Sequence, residues 1–142
     1  MAGDTACSIR YRRTRDGGLR VWVAGARSLD NTVAYWLRIV ELVNAQRPHW
    51  LLLVDELAGQ ELSAEQWRTL VASLVGKGLE PVRIAHVKPS GLAKLEYCEL
   101  HAREHGFIAR AFVDAALAER WLRYGETDEP LLPAPAVGSG RA

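Results

Sequence analysis

Trp50-Leu51-Leu52-Leu53-Val54-Asp55 is a short apolar run closed by a carboxylate, with Pro48 just before it and Gly59 soon after. A bounded apolar run of this length reads as a strand buried on both faces, the situation of a parallel sheet covered by helices. Asp55 then stands at the strand's carboxyl end, where open α/β sheets place their working loops.

Downstream, residues 56–62 form a loop around Gly59, and Ser63 begins a helix with Gln66 three residues later, a capping box. Trp67, Leu70, Val71, Leu74 and Val75 supply its apolar stripe, and Gly76 and Gly78 stop it. Residues 82–87 alternate between faces and read as a strand. Pro89-Ser90-Gly91 turns this into a helix over 92–105, ended by Gly106. Residues 107–112 form a further strand, and Asp114 caps a last helix carrying Leu117, Ala118, Trp121 and Leu122.

Upstream, Asp30 or Asn31 caps a helix running to about Gln46, with Val33, Trp36, Leu37, Val40 and Val43 as its stripe. Residues 8–15 and 19–26 flank Asp16-Gly17-Gly18 and read as a hairpin. Arg10, Arg12 and Arg13 suit a solvated edge strand better than a nucleic-acid patch. The sum is an α/β fold: a mostly parallel five-stranded sheet, four helices and an antiparallel leading edge strand. The tryptophans fall on these elements and are assigned to the core.

With 142 residues and a formal net charge of +1, the chain suits one domain and gives no electrostatic reason to expect nucleic acid. That domain spans 1–124; residues 125–142 turn to Gly, Pro, Ala and Ser without period and are expected to be a disordered tail. No apolar run approaches the roughly 20 residues that span a bilayer. The first residues lack a signal-peptide pattern, and Cys7 and Cys98 sit in no motif. The expectation is a cytoplasmic chain with reduced thiols, not inserted in a membrane.

The strand–helix order resembles the SpoIIAA-like fold of STAS domains and their STAS/SEC14-like relatives, over about residues 8–124. Three segments carry the likeness: Leu51-Leu52-Leu53-Val54-Asp55; Arg83-Ile84-Ala85-His86-Val87; and Ala109-Arg110-Ala111-Phe112-Val113-Asp114 leading to Ala118-Glu119-Arg120-Trp121-Leu122. Members of that family commonly show an Arg-x-Phe-x-Asp segment before a helix finishing in Ala-x-x-Trp-Leu. The resemblance implies a non-enzymatic, protein-binding regulatory module without a cofactor, its partner another protein or a second copy in a homodimer. The SEC14 half of the label implies an alternative, a small apolar or lipid-like ligand. STAS domains are switched by phosphorylation of a serine at a helix start, which the resemblance places at Ser63. Here the residues are Glu61-Leu62-Ser63-Ala64, without the family's Asp-Ser-Ser/Thr-Gly-type motif, and Glu61 and Glu65 would repel a phosphate. Ser63 therefore reads first as a cap.

The strand ends gather the candidate ligand or partner surface: Arg27 and Ser28, Asp55 and Glu56, His86 and Lys88, and Ser90. Lys88 beside a helix start can hold an anion, and Asp55 with His86 can form an acid–base pair. No activated nucleophile or glycine-rich phosphate loop completes a mechanism. His101-Ala102-Arg103-Glu104-His105 matches the H-x-x-E-H pattern of inverted zinc proteases, and Cys98 shares that helix face. Lys94 on the same face opposes a metal, so a metal-dependent hydrolase is the least favoured reading. Two histidines at a helix C-terminus, where positive charge is welcome, account for the pattern. Which face of this helix is buried stays open, the one with Glu96, Glu99 and Arg103 or the one with Tyr97, Cys98, His101 and His105.

Overall fold

The computed structural model describes residues 7–89 and 95–125. Its strands are β1 (Cys7–Arg13), β2 (Gly18–Ala26), β3 (Trp50–Ala58), β4 (Arg83–Val87) and β5 (Ile108–Phe112). Its helices are α1 (Leu29–Gln46), α2 (Ala64–Ser73), α3 (Leu95–Glu104) and α4 (Ala115–Tyr124). The sheet order is β1-β2-β3-β4-β5, with β1 antiparallel to β2 and the other pairs parallel. The expected α/β architecture, with its antiparallel leading edge strand, is the one observed. Residues 126–142, expected as a tail, and Ser90 lie outside the described residues.

The layering follows from the order. Parallel strands laid down in succession with right-handed crossovers put every connecting helix on the same face. Accordingly α1, α2 and α3 share one core with Leu19, Val21, Val23, Leu51, Leu53 and Ile84. Among the described residues, only α4, which follows the last strand and crosses to none, covers the opposite face. Its Ala118, Trp121 and Leu122 pack against Trp50, Leu52, Val54, Ala85, Val87 and Phe112. β3 is therefore buried on both faces, as its unbroken apolar run required. At Gly18, a Cβ would fall inside the Trp50 indole, so the absence of a side chain is what lets that ring lie across the start of β2.

The stripe of α1 is rotated from the expected one. Thr32, Tyr35, Trp36, Ile39, Leu42 and Val43 are buried, while Leu37 is 44% exposed. Anchoring the period on Val33 and Leu37 sets the face about one residue off, because Ile39 and Leu42 continue the row through Tyr35. The cap is also Ser28, accepting from the Asn31 N–H, rather than Asp30 or Asn31. Val75 and Leu117 are likewise exposed, at 45% and 46%: helix α2 has ended before Val75, and Leu117 lies off the Ala118–Trp121–Leu122 row.

Helix α3 buries Ala102 and turns Glu99 and Arg103 to the free edge of β5. The Glu99 carboxylate accepts from the Ala111 N–H at 2.9 Å, and Arg103 Nε donates to the Ala109 carbonyl at 3.1 Å. Two outward-pointing backbone groups of an edge strand are thus occupied by the helix beside them. Among the described residues no helix is long and apolar enough to cross a membrane.

Candidate functional site

Three helix-facing stripes reach the carboxyl end of the sheet, and each changes there from apolar to charged. Along β2 the row Leu19, Val21, Val23 continues through Gly25 to Arg27; along β3, Leu51 and Leu53 lead to Asp55; along β4, Ile84 leads to His86 and Lys88. Side chains two apart share a face, so these charged groups point into the same layer. The register sets them side by side: Val54 pairs with Val87, Asp55 with Val23, and the Arg27 N–H extends the ladder to the Ala58 carbonyl at 2.7 Å.

Asp55 is the hub. Its Oδ2 lies 3.0 Å from His86 Nε2, 3.3 Å from Arg27 Nη1 and 3.4 Å from the Tyr35 hydroxyl. Its Oδ1 accepts from the Leu57 N–H at 3.0 Å. An ionised carboxylate only accepts, so His86 Nε2 carries the proton in its bond to Asp55. Burial opposes ionisation of Asp55. The His86 hydrogen bond and charge, the Arg27 charge and the Leu57 N–H outweigh it and hold the pKa at about 2.

Arg27 and Lys88 are the two cations, with side chains each 2% exposed. Arg27 spends Nη1 on Asp55 and Nη2 on the Leu57 carbonyl at 2.6 Å, leaving Nε without a hydrogen-bond partner among the described residues. Glu61, from the loop between β3 and α2, reaches over both. One oxygen forms an ion pair with Lys88, and the other lies 3.8 Å from Arg27 Nε. Burial, and then the Arg27 charge, push the Lys88 ammonium below its ordinary range, against the pull of Asp55. Above this cluster opens a depression of about 490 Å³, walled by Glu56 to Gly59, Glu61, Arg27 and Pro89.

The structure thus brings together Arg27, Asp55, His86 and Lys88 of the expected set, with Glu56 exposed at the mouth. It separates the two serines: Ser28 caps α1, and Ser63 caps α2 in a reciprocal box with Gln66. Glu61 and Tyr35 are functional neighbours that the sequence reading did not place. Glu61 sits in an aperiodic loop, and Tyr35 fell outside the misplaced stripe of α1.

Behind His86 lies an apolar cavity of about 40 Å³ between α2, α3 and the sheet, bordered by Trp36, Trp67, Leu70, Phe107 and Ala109 among others. The His86 ring meets both indoles edge-on, at centroid distances of 6.2 Å and 6.0 Å. Elsewhere, His101 Nδ1 lies 3.4 Å from Glu104, while His105 donates from Nδ1 to the His101 carbonyl. Among the described residues no three metal-ligating side chains come together; the Cys98 side chain lies outside them.

No family model, curated protein or solved structure matches the chain.

Proposed function

We propose that this chain is a non-enzymatic binding module of the STAS-like kind, engaging a protein partner at the carboxyl ends of β2, β3 and β4. One observation carries the reading: Arg27, Asp55, His86 and Lys88 are all buried at one end of the sheet, beneath an open depression. Taking charges out of water costs several kcal/mol per ion, and apolar residues of similar volume often stabilise a fold better. Charges kept at such a cost, at the end where open sheets bind, favour recognition over stability. That the chain itself surrounds the Asp55 carboxylate favours a scaffold over a general base.

The test places a photo-cross-linking residue at Glu56, on the mouth, or at Lys77, beyond the far end of α2. A defined protein adduct at position 56 and none at 77 is expected. Equal capture at both, or capture at 77 alone, removes the reading.

The small cavity behind His86 favours a second reading, a small apolar guest. Its 40 Å³ holds about three or four waters at roughly 10–15 Å³ each, far less than an acyl chain. Native mass spectrometry of the purified chain decides it: a retained organic mass supports this reading, and a bare chain removes it.

A further inference from the structure

We infer that Lys88 and Arg27 form a seat for an incoming carboxylate, and that Glu61 fills that seat from within the chain until a ligand replaces it. The inference rests on the binding-module reading and names the chemistry recognised at the same site. Glu61 presents one oxygen to each cation, as a bound carboxylate would. The fit to Arg27 is incomplete: Nε is buried, has no hydrogen-bond partner among the described residues and lies 3.8 Å from the Glu61 oxygen. A buried donor with an unmet bond this close to the seat is what a better-placed carboxylate would satisfy.

Asp55 already pairs with Arg27, so emptying the seat leaves the buried Lys88 without a close counter-ion; the empty seat is the expensive state and exchange of one carboxylate for another is not. The loop permits the exchange. Leu62 is buried beside Glu61 and pins the backbone, whereas the Glu61 side chain keeps 22% exposure and can swing into the depression it borders. The ligand class is therefore a carboxylate, supplied by an acidic side chain or C-terminus of the partner or by a free organic acid.

The experiment uses propionate and a short blocked peptide with one aspartate as probes, read by thermal unfolding and by amide shifts at Arg27 and Lys88. Glu61→Gln keeps the loop's shape and Glu61→Ala empties the seat. Both are expected to take up propionate about tenfold or more tightly than the wild type, in which the internal carboxylate competes. Equimolar chloride should not reproduce the effect, and Lys88→Met added to Glu61→Ala should abolish it. Tighter uptake of the peptide than of propionate assigns the seat to a partner's carboxylate; the reverse order assigns it to a free acid. A response equal in chloride, or one surviving Lys88→Met, overturns the inference. This titration needs no partner, so its failure with cross-linking at Glu56 intact sinks the seat alone. Loss of the cross-link with propionate uptake intact sinks the protein-binding reading alone.

Discussion

Asp55 and Lys88 are both buried and charged, yet they stand in opposite energetic positions. Asp55 is held by four groups of its own chain, and removing its charge strands the Arg27 guanidinium in the interior. Asp55→Ala should cost about 3 kcal/mol or more in urea unfolding. Lys88 has one main counter-ion, Glu61, which can turn to water when released. Lys88→Met should change stability by less than about 1 kcal/mol while removing carboxylate uptake. Equal losses for both variants would mean that the cluster is one structural unit with no separable seat. Arg47 offers an independent check on backbone energetics. It closes α1 at φ 51, a left-handed conformation, with its N–H on the Val43 carbonyl. Glycine takes that conformation without the Cβ penalty, so Arg47→Gly should raise unfolding stability by about 0.5–1 kcal/mol. No gain, or a loss, would show that the Arg47 side chain contributes more than its backbone costs.

At the scale of elements, what was legible in the sequence followed from periodicity, and what was not followed from its absence. The strands were readable because a period of two has little room for error: Leu51, Leu53 and Asp55 share a face in any register. The same rule, extended past the apolar rows, reaches Arg27, His86 and Lys88. Helix α1 was placed correctly but turned, since shifting a stripe by one residue rotates it only about 100° and still collects Val43 and Trp36. Tyr35 was lost with that rotation. Glu61 belongs to no period at all, and only the folded loop brings it over Lys88. Serines at helix starts were ambiguous because a cap and a modification site look alike until the hydroxyl's partner is seen. Helix α3 was undecidable because small Ala102, not a row of large apolar residues, is what its described side chains bury in the core. Glu99 and Arg103 occupy the edge of β5, which otherwise offers free N–H and carbonyl groups to another chain. Replacing both by alanine should promote concentration-dependent association through that edge, seen by light scattering or analytical ultracentrifugation. A variant that stays in the wild-type oligomeric state would show that the edge is blocked by other means.

For the whole molecule, the consequence of this layout is that stability and recognition meet at one end of the sheet. Helices α1 to α3 bury an apolar core up to the row of Leu53, and beyond it the same layer becomes ionic. Acid should therefore act on the fold through Asp55. Its folded pKa of about 2 lies below the ordinary 3.8, so the unfolded chain binds the proton more readily. The stabilisation is complete above that ordinary value and disappears as pH falls through 2, a loss of about 2 kcal/mol. Asp16 and Glu80 also have lowered values, chiefly through hydrogen bonds from the Thr14 hydroxyl and the Gly76 N–H, so the Asp55 share is isolated by substituting Asp55 itself. Urea unfolding measured from pH 5 to pH 2 in high salt should still show the acid decline in the wild type, and Asp55→Asn should flatten it. An equally steep decline in the variant would move the acid sensitivity away from Asp55, and with it the claim that this carboxylate organises the charged end of the sheet.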